Sequence, residues 1–477
     1  CLSQPIAAAH TDLVFACGPH MRALWDALPQ NVRGAYAENS AVLAPQMIAA
    51  LHHGDVVLVK GSFGSRMALV IDALSALSKR HNIRAIVSTA HGCGGVLIDD
   101  RGPVLPAMDY EATPPEWLAD AYRDVGPAYQ EVFCSLSGGA MRPAQGLLWQ
   151  MREFTSAFQR AKHFLLTPQY FAFRFGGRPV TEISSLAAQC HLWNPLKSEF
   201  SSIVKKKNWS HLFPAFAREG EVVGHLAPEL AKRTGLAPDV EILAGAHDSN
   251  ANFYRYKAAG LADYTVLSTG TWMIGFNRGR PLEDFREERA MVANVDVDGE
   301  PIASTLTMTG REYQILAGDP PVSDERAFNV VEHLIARGTI PVPSFVEDPG
   351  PVPHSGGKGH ILGPPPETAE ERGALASLYA ASVADLCLDE LGSTTPIVID
   401  GGFATNNSFA KMLSCLRPSQ EVYVSQSKDG TALGAGLLWR RFERKASVDS
   451  VKLDRIKTKS YPALIEATKK WKSMIGA

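Results

Sequence analysis

From residue 65 to about residue 79, apolar side chains recur at three- and four-residue steps, at Leu69, Val70, Ala73, Leu74 and Leu77. That spacing predicts a helix with one buried face. Upstream, the apolar runs at 12–17 and 56–60 are strand-sized, and helices are predicted at 21–28 and 40–51. Strands alternating with helices predict an α/β fold with a parallel sheet. A second series begins near His81, where a strand at 83–88 ends in Thr89-Ala-His-Gly-Cys-Gly-Gly95. Helices are predicted at 143–158, 164–175 and 183–192, and a strand at 240–244 runs into Gly245-Ala-His-Asp-Ser-Asn-Ala251. Then come a strand and turn at 264–271, a proline-rich surface loop at 341–366, a long helix at 370–391, and a strand entering Asp400-Gly-Gly402. No repeat of 20–50 residues is evident.

Composition narrows the class. At 477 residues the chain exceeds what one hydrophobic core usually covers, so two or more domains are expected. Lys+Arg 47 against Asp+Glu 50, a formal net charge of -3, gives no electrostatic reason to expect nucleic acid or an anionic membrane. A small-molecule substrate is the expectation. Seven scattered cysteines without a CxxC pair predict a reduced, cytoplasmic setting and no metal site. No apolar run approaches the roughly 20 residues of a membrane span. The chain begins at Cys1 rather than Met, so its natural N-terminus is expected to lie outside it.

Three strand-to-loop junctions carry candidate chemistry. Asp248 stands just past an apolar strand, where a carboxylate can accept the proton of a sugar hydroxyl during phosphoryl transfer. An aspartate there equally serves as cap of a helix starting at Ser249. In Leu267-Ser-Thr-Gly-Thr-Trp272, small hydroxyl residues around glycine let backbone N–H groups approach phosphate oxygens, and a ligand-free hairpin is the alternative. In Asp400-Gly-Gly-Phe-Ala-Thr-Asn-Asn407 the paired glycines permit close passage of a nucleotide, unless they form a simple strand-to-helix turn. The small-residue helix in Asp429-Gly-Thr-Ala-Leu-Gly-Ala-Gly436 suits close packing beneath that loop. No GxGxxG follows a strand, which removes the dehydrogenase reading.

Order and spacing of these motifs, with Leu226-Ala-Pro-Glu-Leu-Ala-Lys-Arg-Thr-Gly-Leu236 and Gly310-Arg-Glu-Tyr313, resemble the FGGY family of carbohydrate kinases from about 81 to 444. The resemblance implies a two-domain fold of the actin and hexokinase (ribonuclease H-like) type, with ATP, Mg2+ and a sugar meeting between the domains. It makes Asp248 the catalytic base, Thr269, Gly270 and Thr271 the second phosphate loop, and Gly401, Gly402 and Asn406 the adenosine loop. Ala90-His91-Gly92 is similar to the segment that contacts sugar in ketose-specific members, which makes His91 a substrate candidate. Thr181-Glu-Ile-Ser-Ser185 and His191-Leu-Trp-Asn-Pro195 resemble the subgroup near the rhamnulose and fuculose kinases. A homodimer is compatible with the resemblance.

One departure stands out. Family members open with a turn of the form aspartate-x-glycine-threonine, which holds phosphate and supplies a carboxylate facing magnesium; none occurs upstream of His81. Instead, Cys17-Gly-Pro-His-Met21 and Gly54-Asp-Val-Val-Leu-Val-Lys-Gly-Ser62 resemble the C-terminal domain of the UDP-N-acetylmuramoyl-tripeptide D-alanyl-D-alanine ligase, over about 12–77. The implied domains are a partial Rossmann-like, ligase-like fragment (1–80), a kinase N-terminal domain lacking its first strands (81–255), a kinase C-terminal domain (256–447) and a tail (448–477). A fusion of this kind predicts a sugar kinase of impaired activity; a pseudokinase that binds without turnover is the alternative. A working ligase fragment is the least favoured reading, since no GxxxxGK[ST] occurs.

Overall fold

The computed structural model describes residues 14–17, 21–37, 43, 46, 74–79, 81–109, 112–136, 142–261, 263–427, 429–439, 441–442, 451–457 and 461–476. The predicted helix at 40–51, the strand at 56–60 and most of the helix at 65–79 lie outside them. Near the start, strands Val14–Cys17 and Arg33–Ala37 pair in parallel. Helix Arg22–Ala27 connects them, and Val14, Met21, Trp25, Leu28 and Val32 pack together.

The first of two larger units is built on a short sheet whose central strand, Glu241–His247, pairs in parallel with Ala85–Ala90 and antiparallel with Val222–His225. Leu74, in the described end of the 65–79 segment, packs on the core beneath this sheet, and Ser78 Oγ donates to the Thr234 carbonyl at 3.0 Å. An antiparallel sheet of Gly102–Pro103, Gly95–Asp99 and His163–Leu166 stands beside it. Residues 164–166, expected in a helix, are therefore strand, because His163–Leu166 pairs with Gly95–Asp99. The helix begins at Thr167 with Pro168 in its first turn, where proline's missing N–H costs nothing. The predicted helix at 183–192 stops at Leu186, since Gln189 and His191 take positive φ of 60° and 61°.

The second unit is a seven-stranded sheet in the order Met291–Val295, Pro301–Thr307, Met273–Asn277, Thr265–Thr269, Ile397–Gly401, Val422–Ser425, Leu453–Arg455. Thr265–Thr269, Ile397–Gly401 and Val422–Ser425 run parallel. Helix Ala369–Glu390 lies almost entirely buried against it and supplies much of the largest apolar cluster. Its start is fixed by a capping box, in which Thr368 Oγ1 accepts Glu371 N–H at 3.1 Å and the Glu371 carboxylate reaches back. Thr368→Ala is expected to cost about 1 kcal/mol in urea denaturation.

Two crossing helices join the units. Asp248–Ala258 continues from the central strand of the first sheet, and Gly430–Leu438 follows the last parallel strand of the second. They cross with almost no space: a Cβ on Gly434 would stand 1.9 Å from the Ala251 carbonyl oxygen. The small-residue helix predicted at 429–436 is thus present, and its glycines permit the contact. No described helix is long and apolar enough to cross a membrane.

Candidate functional site

Parallel pairing places two of the sequence candidates side by side. His247 is in register with Ala90, so His91 and Asp248 leave neighbouring strands at the same level. Asp248 is the first residue of its helix, and its side chain is 40% exposed. Its Oδ1 accepts Ser249 N–H at 2.6 Å and lies 3.3 Å from His247 Nε2. Capping is a poor account of this carboxylate, because a cap accepts from the second or third N–H of the helix and Asp248 bonds only its immediate neighbour. Oδ2 has no protein hydrogen bond among the described residues, which leaves one oxygen open to a ligand.

His91 Nδ1 accepts Cys93 N–H at 3.2 Å, which leaves Nε2 as the N–H bearing atom of the neutral ring. The ring reaches solvent, yet desolvation by its neighbours lowers its pKa, against the pull of Asp248 and with help from His247. A neutral imidazole beside a carboxylate suits hydrogen bonding to a polar, uncharged ligand. His247, to which the sequence assigns no role, is 6% exposed against Asp248, with Nδ1 buried and without a hydrogen-bond partner among the described residues.

The two glycine turns form one surface. Thr265–Thr269 and Ile397–Gly401 pair in parallel with Thr269 opposite Gly401. Thr269 Oγ1 staples them: it donates to the Asp400 carbonyl at 2.5 Å and accepts Phe403 N–H at 2.8 Å. Gly401 holds φ +81°, and a Cβ there would sit 2.0 Å from the Thr269 carbonyl oxygen, so only glycine fits. Gly270, Thr271, Gly401 and Gly402 are exposed. A Cβ on Gly270 or Gly402 would meet no atom closer than 3.9 and 3.7 Å, which leaves bare backbone for a ligand to approach. Asn406 is buried and caps the next helix, accepting Phe409 N–H at 2.9 Å. It supports the turn from beneath.

The turn at 269–271 is itself held from the side. Arg311 N–H donates to the Thr271 carbonyl at 3.2 Å, and a Cβ on Gly310 would stand 1.8 Å from the Gly270 carbonyl oxygen. Gly310→Ala is expected to displace that turn and cost about 1–3 kcal/mol, seen as a lower urea midpoint and weaker ATP binding by calorimetry.

A buried ion pair ties the carboxylate to the glycine turns. Arg255, on the helix that Asp248 begins, donates through NH2 to Asp400 Oδ2 at 2.9 Å. Tyr256 OH adds a bond to the same oxygen at 2.8 Å, and Asp400 Oδ1 accepts Gly401 N–H at 2.9 Å. Seven residues of helix, about 10 Å of rise, separate Asp248 from the arginine that grips the start of the Gly401–Gly402 turn. Neither Arg255 nor its partnership was visible in the sequence.

Comparisons with known proteins agree with this arrangement. The model for the FGGY family of carbohydrate kinases, N-terminal domain, matches residues 65–253, and that for carbohydrate kinase FGGY, C-terminal domain, matches 261–447. A carbohydrate kinase from Novosphingobium aromaticivorans is 30% identical, with 88% of this chain and 93% of that one covered at a TM-score of 0.76. A ligand-bound xylulose kinase from Lactobacillus acidophilus shares the fold at 16% identity, TM-score 0.71, covering 88% and 90% of the two chains. L-fuculokinase of Salmonella typhi is 23% identical over 213 residues, 44% of each chain, and that of Escherichia coli (strain K12) 24% over 204 residues, 42% of each. The chain thus matches less than half the length of these curated relatives. With both domain models matched in order and a 30% identical carbohydrate kinase superposing along most of its length, the chain belongs to the FGGY family of carbohydrate kinases.

Proposed function

We propose that this chain transfers the terminal phosphoryl group of ATP to a hydroxyl of a small sugar, with Asp248 as general base. The observation that carries the reading is Asp248 itself, half-exposed at a strand end beside His91, with one carboxylate oxygen unbonded among the described residues. On this reading Asp248 takes the proton of the attacking hydroxyl, and His91 Nε2–H donates to a neighbouring sugar oxygen. The exposed backbone at Gly270 and Thr271 receives phosphate oxygens, and Gly401 and Gly402 let the adenosine pass, with Thr269 and Asn406 bracing the two turns. Mg2+, bound with the nucleotide, would neutralise phosphate charge. A ketose or deoxyketose is the preferred substrate class, supported by the L-fuculokinase relatives. A cytoplasmic setting follows from the cysteine pattern, and a homodimer is compatible with it.

A binding-only reading has its own support. The aspartate-x-glycine-threonine turn is absent upstream of His81, and the 12–77 segment is read as ligase-like. Positioning and charge stabilisation supply most of phosphoryl transfer, so a missing phosphate turn costs several powers of ten in rate. A coupled ATP assay on a panel of ketoses and deoxyketoses separates the readings. Turnover at ordinary kinase rates supports the enzyme; calorimetric binding of sugar or nucleotide without turnover supports the binding module. Affinity for peptidoglycan precursors, with none for sugars, would sink both.

A further inference from the structure

The strand that delivers Asp248 is not held by regular pairing along its whole length. Its register with Ala85–Ala90 shifts between Leu243 and Ala246, around Gly245, where a Cβ would stand 2.1 Å from the Ser88 carbonyl oxygen. Past that point pairing resumes at Ala246 and His247, and side chains add further hold on the backbone groups. Gln169 Oε1 accepts Gly245 N–H at 3.3 Å, Thr89 Oγ1 donates to the Ala246 carbonyl at 3.0 Å, and Ser184 Oγ accepts His247 N–H at 3.1 Å. The last of these fixes the residue directly before Asp248.

Ser184 is in turn gripped by two fully buried carboxyl groups. Its hydroxyl donates to Glu182 Oε2 at 2.8 Å and its backbone N–H to Glu219 Oε1 at 3.0 Å. Glu182 also caps the short helix, accepting Ser185 N–H at 3.1 and 3.0 Å. Glu182 and Glu219 are 0% and 1% exposed, and two neighbouring buried carboxylates cannot both stay ionised cheaply. Burial and the neighbouring Glu182 push the Glu219 carboxyl well above the usual carboxylate range.

The second domain completes the cluster. Arg441, just past helix Gly430–Leu438, donates through NH1 to the Glu219 carbonyl at 2.8 Å and lies 3.3 Å from Glu219 Oε2. Its NH2 donates to Asp298 Oδ1 at 2.9 Å and to the Val297 carbonyl. Gly220, at φ +82°, lets the loop press on the helix end, where a Cβ would meet the Leu438 carbonyl oxygen at 2.4 Å. Trp439 Nε1 donates to Glu241 Oε2 at 2.9 Å, at the opposite end of the strand that leads to Asp248.

We propose that Ser184 is a positioning residue for Asp248, and that Glu182, Glu219 and Arg441 hold it, so that an arginine of the C-terminal domain completes the placement of a base carried by the N-terminal domain. The inference rests on Asp248 being the base, and the two are separable. Amide exchange of the 243–250 segment, read by mass spectrometry on the full chain, tests the positioning without needing turnover. Ser184→Ala, Glu219→Ala and Arg441→Met each raise exchange there by about tenfold, while the buried helix Ala369–Glu390 exchanges as in the wild type. Glu219→Gln restores protection, because a carboxamide oxygen still accepts from Ser184 N–H and the Glu219 main-chain carbonyl still accepts from Arg441. With an accepted sugar, kcat falls in the same variants with little change in KM. Exchange that stays at the wild-type rate in Arg441→Met and Glu219→Ala, or that rises uniformly along the chain, overturns the proposal. Asp248→Asn in the same experiment leaves exchange unchanged; its retention of turnover would remove the base assignment alone.

Discussion

If Asp248 is the base, as proposed, Asp248→Asn is expected to lower kcat by about 10²–10⁴-fold and to leave sugar and ATP binding largely intact by calorimetry. The reason lies in what the carboxylate does in the resting protein. Its Oδ1 is occupied by Ser249 N–H and lies near His247 Nε2, whereas Oδ2 has no hydrogen-bond partner among the described residues. A carboxamide of the same shape keeps the first role, since its oxygen still accepts from Ser249, but it cannot take a proton from an attacking hydroxyl. Binding contacts that act equally in ground and transition states survive, so the loss falls on kcat. A variant that turns over within a factor of ten of the wild type would show that another group, or the nucleotide itself, takes the proton.

Asp400→Asn is expected to destabilise the chain by about 3–5 kcal/mol, seen as a lower urea midpoint at unchanged slope. Arg255 and Asp400 are each 2% exposed, and Arg255 Nε and NH1 already lack hydrogen-bond partners. Removing the carboxylate's charge leaves an uncompensated guanidinium in the interior, facing neutral groups alone among the described residues: the new carboxamide and the Tyr256 and Ser425 hydroxyls. No relief comes from the other side, because the site is closed by Gly430, whose Cβ position is 3.0 Å from Asp400 Oδ2 and 3.1 Å from Arg255 NH1. ATP affinity falls with stability, since Asp400 Oδ1 also orients Gly401 N–H. Replacing both partners by apolar residues, Arg255→Met with Asp400→Leu, is expected to recover much of the loss, because no lone buried charge remains. If the single variant unfolds at the wild-type midpoint, water reaches the pair and the coupling between base helix and turn is weaker than the burial implies.

What could be read from the sequence was whatever has a local signature. Helix Ala369–Glu390 and strand Ile397–Gly401 fall within a residue or two of expectation, because a long apolar periodicity and a short β-branched run are each unambiguous. The predicted helix at 143–158 is broken at Phe154 into Pro143–Glu153 and Thr155–Arg160, a kink that periodicity does not encode. His163–Leu166 reads equally well as helix or strand, and only its partner across the sheet decides. The site divides in the same way. Asp248, His91 and the glycine turns stand at strand ends, where a carboxylate, an imidazole or a bare backbone is conspicuous. Arg255 and Asp400 are 145 residues apart and Glu219 and Arg441 are 222 apart, so neither pair leaves a pattern within any window of sequence.

The contact between Gly434 and Ala251 sets the distance from the proposed base to the nucleotide turns by main chain against main chain, with no side chain interposed. A side chain larger than glycine at 434 would push the two helices apart and lengthen that span. If His91 contacts the sugar as proposed, its surroundings are expected to be open to change for a different sugar without disturbing this crossing, since His91 lies on the loop after Ala90 and not on either crossing helix.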